Sequence, residues 1–107
     1  MPDIRIVLTT VDSPENAREL ASTLVKDRLA ACVSIFPRID SIYHWNDQIQ
    51  HEQESQLIIK TAADRVEALI AGLRKVHPYE VPEILVLPVL GGLEAYFSWV
   101  VQETRIL

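Results

Sequence analysis

The chain has 107 residues, of which 49% are hydrophobic, and a formal net charge of −5 at pH 7. This length suits one domain with a core of its own, and the acidic balance, with Lys and Arg scattered along the chain, argues against a nucleic-acid-binding face. Cys32 is the one cysteine, which excludes an internal disulfide.

The first third of the chain predicts a strand followed by a helix. Apolar and polar residues alternate over residues 4–8, which is typical of a strand with one buried face. Ser13 is a suitable helix cap and Pro14 fits the first helical position. We therefore predict a helix over about residues 14–28.

The middle of the chain predicts a strand and then a long hairpin. The apolar run LAACVSIF (29–36) is typical of a strand covered on both sides or central in a sheet, and Cys32 within it is expected to be a small buried hydrophobe. Two alternating segments follow, joined by the turn-like WNDQ (45–48). Tyr43 and Trp45 share one strand face and form either a pocket wall or a subunit contact.

A second helix is predicted before residue 77. Asp64 and Glu67 have the spacing of a capping box. Pro78 ends the helix, because the residue before a proline is disfavoured in the helical region. The apolar stripe of this helix is expected to comprise Val66, Leu69, Ile70, Leu73 and Val76.

The C-terminal third predicts one more strand and a closing helix. The last strand is EILVLPV (83–89), and Pro88 indicates an edge or a strand end, because proline cannot donate to the ladder. Gly91 and Gly92 then break the chain. The inward residues of the helix that follows are expected to be Tyr96, Trp99, Val100 and Ile106.

The resulting order, β-α-β-β-α-β and a C-terminal helix, predicts an α+β fold of the ferredoxin-like plait class with a long central hairpin. One domain is expected over residues 1–107. Apolar residues occur on both faces of the second and fourth strands, so the helix-free sheet face also requires burial. We therefore expect an oligomer that covers it.

The segment VHPYEVPEILVLPV (76–89) leaves two interpretations open. His77 with Glu80 and Glu83 nearby suggests a metal or acid–base site, although one histidine with carboxylates makes a weak, labile metal site. The prolines instead suggest a helix stop that aims a strand. No nucleotide-binding glycine pattern and no evident nucleophile–base or carboxylate pair occurs, so we do not predict an enzyme.

The cellular location is predicted from what the sequence lacks. The start MPDIRIVLTT does not have the basic and long apolar regions of a signal peptide. No apolar run approaches the roughly 20 residues of a membrane span. We expect a cytoplasmic protein without membrane or nucleic-acid partners.

Four segments carry a resemblance to a known family: RLAACVSI (28–35), YHWNDQIQHEQESQLIIKT (43–61), HPYEVPEILVLPV (77–89) and YFSWV (96–100). Together they resemble the CutA-type divalent-cation tolerance proteins. The resemblance implies a tightly packed homotrimer with the ferredoxin-like fold, located in the bacterial cytoplasm. It also implies an architecture similar to that of the nitrogen-regulatory PII proteins, whose trimers bind small ligands in clefts between subunits.

This sequence departs from the family pattern at two places. Many members have a glycine at the hairpin, whereas here Asn46 and Asp47 are expected to form the turn. Copper ligation in some members is assigned to a cysteine after the first strand and a His-His pair before Pro-Tyr. This chain has Thr9 and Val76 at the first two of these positions, and only His77 matches.

The resemblance implies a trimeric protein of cation homeostasis that binds or responds to metal ions, with His77 as a ligand of copper or another divalent cation. One alternative is a PII-like sensor that binds an unknown small molecule between subunits. Another is a scaffold trimer that docks a protein partner. The expected inter-subunit cleft comprises Cys32, Tyr43, Trp45, Lys60, Tyr79, Glu80 and Glu83.

Overall fold

The structure is a computed structural model that describes residues 2–106. Its sheet has the strand order β2-β3-β1-β4, and all neighbouring strands are antiparallel. This is the predicted ferredoxin-like plait. The elements are β1 (Ile4–Val11), α1 (Pro14–Lys26), β2 (Cys32–Trp45), β3 (Gln48–Ala62), a 3₁₀ turn (Ala63–Arg65), α2 (Val66–Val76), β4 (Leu85–Pro88) and α3 (Glu94–Glu103).

The main core lies between the sheet and the helices α1 and α2. The strands contribute Val7, Leu57 and Ile59, which are fully buried against leucines of both helices. Helix α1 begins as predicted, with Pro14 in its first turn and Ser13 Oγ accepting a hydrogen bond from Asn16 N at 3.1 Å. No helix within residues 2–106 is long and apolar enough to cross a membrane.

The position predicted for β2 is wrong. β2 lies at an edge of the sheet, because β3 and β1 occupy its centre, and Phe36 and Trp45 are more than half exposed. The apolar run includes a connection, residues 29–31, that precedes the strand. Cys32 is the first residue of β2 and is partly exposed rather than buried in the core.

The predicted cap of α2 is also wrong. Helix α2 begins only at Val66, after the 3₁₀ turn, and no side chain caps it. The Asp64 carboxylate instead accepts two hydrogen bonds from the Arg105 guanidinium, at 2.7 and 2.6 Å. Leu69 and Leu73 are fully buried as predicted, whereas Val76 is 50% exposed.

The Asp64–Arg105 pair predicts a small pH-dependent stabilisation. Its hydrogen bonds to Arg105 hold the pKa of the Asp64 carboxyl below its ordinary value. The stabilisation is therefore present above the unfolded-state pKa and is lost as the pH falls through the lowered folded-state pKa. Asp64→Asn should cost no more than about 1 kcal/mol near neutral pH, because the pair is exposed and screened.

Denaturant unfolding across a pH series measures this effect. The difference in unfolding free energy between wild type and Asp64→Asn should disappear at acidic pH. The control is Asp40→Asn, on an exposed β2 position. A gap that persists at all pH values would contradict the assigned cause.

Helix α3 packs on the second face of the sheet, and of its predicted inward residues only Val100 is confirmed. Phe97 and Val100 are buried against Ile4 and Ala31. Ile4 lies three residues from Val7, so the two point to opposite faces. Tyr96, Trp99 and Ile106 are 38%, 42% and 79% exposed, contrary to expectation.

The remainder of the second face exposes apolar side chains. Leu85 and Leu87 of β4 are 53% and 39% exposed and pair with Leu8 and Ile6 of β1. Phe36 of β2 extends the same surface from the opposite edge of the sheet. We call this surface the open face.

The tip of the hairpin is the predicted Asn46–Asp47 turn. Trp45 pairs with Gln48, and both turn residues have positive φ, 52° and 59°. Two consecutive positive φ angles define a type I′ turn. Glycine is the residue most strongly preferred at the second position of this turn. Asn and Asp tolerate this conformation better than most residues.

We expect Asp47→Gly to stabilise the protein by about 0.5–1 kcal/mol. Glycine removes the steric strain of an aspartate at φ 59°, and this gain outweighs the entropy that glycine loses on folding. Denaturant unfolding at matched protein concentration measures it. Asp40→Gly makes the same change at an extended position and should destabilise. Equal effects of the two variants would contradict the turn argument.

Candidate functional site

The segment between α2 and β4 forms hydrogen bonds with both the end of β1 and the hairpin. Helix α2 ends at Val76, and His77 follows with extended backbone angles, φ −69° and ψ 133°. The His77 N–H closes the helix by donating to Leu73 O at 2.8 Å. Pro78 thus stops the helix as predicted.

The His77 ring is buried, and both of its nitrogens have partners. Nε2 lies 2.8 Å from the Thr10 carbonyl oxygen, and the Tyr79 N–H donates to Nδ1 at 3.1 Å. A carbonyl only accepts and an amide N–H only donates, so Nε2 carries the proton. A metal ion could bind either nitrogen only after one of these bonds breaks.

Tyr79 continues this network to the hairpin. Its ring contacts that of His77, with centroids 4.9 Å apart, and its hydroxyl donates to Glu54 Oε2 at 2.9 Å. Burial, followed by the hydrogen bond to Glu54 and nearby negative charges, raises the pKa of Tyr79 well above its ordinary value. The phenol therefore remains a hydrogen-bond donor.

A groove of about 720 Å³ lies between the hairpin and the loop 79–83. Three aromatic rings and four carboxylates line it, and none of its lining residues is Lys or Arg. Partial burial and the neighbouring Glu52 carboxylate raise the pKa of Tyr43. The lining rings and carboxylates are those of Tyr43, Trp45, Tyr79, Glu52, Glu54, Glu80 and Glu83.

A family model described as "CutA1 divalent ion tolerance protein" matches residues 5–103. The chain belongs to this family. The divalent-cation tolerance protein CutA of Thermus thermophilus is 42% identical over 99 residues, which cover 92% of this chain and 96% of that one. The chloroplastic protein CutA of Arabidopsis thaliana is 40% identical over 94% of this chain, which spans only 55% of the plant chain.

A solved structure supports the same assignment. The crystal structure of the divalent ion tolerance protein CutA1 from Ehrlichia chaffeensis superposes with a TM-score of 0.94 at 30% identity, covering 99% of both chains. The names of these CutA proteins describe tolerance of divalent ions rather than a reaction.

In one protomer, the residues of the cleft predicted from the CutA resemblance lie in two separate places. Tyr43, Trp45, Tyr79, Glu80 and Glu83 line the groove. Cys32 and Lys60 contact each other instead, with Nζ 3.8 Å from Sγ. Lys60 lies six residues beyond Glu54 on β3, about 20 Å at the usual strand rise. An inter-subunit cleft that contains both groups stays a prediction.

The predicted cleft omitted two of the four groove carboxylates, Glu52 and Glu54. They alternate with Gln53 on β3, and Glu52 pairs with Ser41, two residues before Tyr43. Because strand residues two apart share a face, this alternation places both carboxylates beside the Tyr43–Trp45 face. The signal was present in the hairpin pattern.

One protomer does not provide a complete metal site. Over residues 2–106, no three His, Cys, Asp or Glu side chains lie close enough together to hold a metal ion. The groove carboxylates supply oxygen donors that suit hard divalent cations, and His77 supplies nitrogen only after rearrangement. Among the described residues, the groove therefore offers single donor groups rather than an assembled coordination set.

Proposed function

We propose that this CutA-family protein is a non-enzymatic, cytoplasmic homotrimer of divalent-cation homeostasis and that the groove holds the cation. The observation that carries the proposal is the set of four glutamates in a groove lined by no Lys or Arg. Such a concave acidic surface raises the local concentration of cations.

The donor chemistry indicates which cations fit. Carboxylate oxygens suit Mn²⁺, Mg²⁺ and Ca²⁺, whereas imidazole nitrogen suits Cu²⁺. The groove as it stands favours the harder ions. Copper would bind by releasing His77 from Thr10 or Tyr79, so its binding should carry the cost of a broken hydrogen bond.

The homotrimer is supported by the open face. Leu85, Leu87 and Phe36 are between 39% and 55% exposed, and large exposed apolar patches mark interaction surfaces. Assembly would also allow side chains of a neighbouring protomer to complete a coordination set that one protomer leaves incomplete.

Calorimetric titration tests the cation proposal. Mn²⁺ and Cu²⁺ would be titrated into wild type, into the double variant Glu80→Gln/Glu83→Gln, and into His77→Gln. The double variant should weaken Mn²⁺ binding by at least about tenfold, and His77→Gln should weaken only Cu²⁺ binding.

The matched control is Glu19→Gln/Glu67→Gln, which removes the same charge from exposed positions of α1 and α2. It should leave both affinities unchanged. Equal losses in the control and the groove variant would reduce the effect to net charge and reject the groove as the site.

A second candidate function is the sensing of a small molecule. The groove volume falls in the range of about 300–1,000 Å³ typical of ligand sites, and the aromatic walls with carboxylates would suit a positively charged organic molecule. Thermal-shift measurements distinguish the candidates. Stabilisation by organic amines without stabilisation by divalent cations would favour the sensor.

A further inference from the structure

Cys32 and Lys60 face each other across two paired strands at one end of the open face. They are direct cross-strand partners in the β2–β3 ladder. Lys60 Nζ lies 3.8 Å from Cys32 Sγ and 2.5 Å from Ser34 Oγ. Both residues are half-buried in the protomer.

The arrangement is unusual for a lysine, whose ammonium normally extends into water or pairs with a carboxylate. Within residues 2–106, Lys60 forms no salt bridge. Its amine instead folds back over β2, and Ser34, two residues after Cys32, holds it on the thiol side. The sulfur and the nitrogen are thereby kept together as neighbours.

Helix α3 closes one side of this corner. Ala31, which directly precedes Cys32, is buried against Phe97 and Val100 of this helix. The thiol and the amine thus meet where neighbouring side chains partly exclude water.

We propose that Cys32 and Lys60 form a reversible redox bridge in which one oxygen atom links Sγ to Nζ. The overall step consumes the thiol, the neutral amine and dioxygen, and it yields the S–O–N bridge and one water molecule. The S–H bond, one N–H bond and the O–O bond break. Sulfur and nitrogen each lose two electrons, and dioxygen takes up all four.

The bridge would join the first residue of the edge strand β2 to the central strand β3 and would remove the Lys60 charge from the open face. Two equivalents of a dithiol reductant would restore the thiol and the amine and release the oxygen as water. The pair would thus act as a redox switch on β2. This inference does not rest on the proposed cation site.

Mass spectrometry tests the bridge directly. The protein would be incubated in air-saturated buffer or with a dithiol, and its intact mass measured. The bridged chain gains one oxygen and loses two hydrogens, whereas a sulfenic acid gains one oxygen alone and an inter-chain disulfide doubles the mass. Tryptic digestion should yield peptide 29–38 linked to peptide 39–65, because trypsin cannot cleave after a bridged Lys60.

Three variants complete the experiment. The linked peptide should be lost completely in Cys32→Ser and in Lys60→Arg, which keeps the charge, and should persist in Lys75→Arg, on α2. Dithiol treatment should restore the unlinked peptides. If the oxidised wild type contains only sulfenic or sulfinic acid or disulfide, formed equally in Lys60→Arg, the bridge is rejected.

Discussion

Replacing His77 with alanine is expected to destabilise the protein by about 2–4 kcal/mol, since the change leaves two polar partners unsatisfied and a cavity behind. The His77 ring is 8% exposed and bonds to both the Thr10 carbonyl and the Tyr79 N–H. The deleted ring also supports Tyr79, whose hydroxyl reaches Glu54. One side chain therefore ties the end of β1 to the loop and, through Tyr79, to the hairpin.

Two partial replacements separate these contributions. His77→Asn offers an oxygen near the position of Nδ1 and should retain the bond from Tyr79 N–H, whereas His77→Gln offers a donor near the position of Nε2 for Thr10 O. Each should recover part of the stability lost in His77→Ala. Denaturant unfolding monitored by circular dichroism gives the free energies.

The contrary result is equally specific. If His77→Ala unfolds at the same denaturant concentration as wild type without metal, and loses stability only relative to the Cu²⁺-loaded protein, His77 would be a ligand rather than a structural tie. The prediction that His77 binds the metal would then take precedence over the hydrogen-bond argument.

The elements that the sequence predicted correctly are those decided by neighbouring residues. Ser13 and Pro14 start a helix, Asn46 and Asp47 form a tight turn and Pro78 stops a helix, each through the backbone chemistry of a few adjacent residues. These signals needed no knowledge of the rest of the molecule. The order of elements then restricted the fold to a small set.

The errors arose where distant residues decide the outcome. Asp64 has the local pattern of a cap, but Arg105, 41 residues away, takes its carboxylate. Helix α3 contains apolar residues around much of its circumference, so its sequence does not indicate whether Phe97 or its neighbours Tyr96 and Trp99 turn inward. The contacts with Ile4 and Ala31 settle this, and sequence periodicity does not contain them.

The same contrast between local and distant residues explains why only part of the site was predicted. The loop residues Tyr79, Glu80 and Glu83 were found because they belong to the same recognisable segment as His77. Whether they lie near Cys32 and Lys60 depends on the register of β2 on β3. That register pairs Lys60 with Cys32 at the end of the two strands farthest from the hairpin tip. A resemblance to a family identifies such residues but does not measure the distance between them.

Replacing Leu87 with lysine is expected to dissociate the proposed trimer. Leu87 lies at 39% exposure on β4 and pairs with Ile6 on the open face. A charge placed in a dry interface without a partner costs about 3–5 kcal/mol, and every subunit would carry one. The protomer itself should tolerate the change, because lysine at an edge strand extends its charge into water.

Sedimentation velocity over a range of protein concentrations measures the assembly, and circular dichroism verifies the fold. Val25→Lys is the matched control, because Val25 is 42% exposed on α1, on the other side of the sheet. The control should have the mass of wild type, whereas Leu87→Lys should sediment as a monomer with unchanged secondary structure. Trimers of Leu87→Lys at the same concentrations would show that the open face is not the surface through which the subunits associate, and the acidic groove would then have to complete its cation site through another contact.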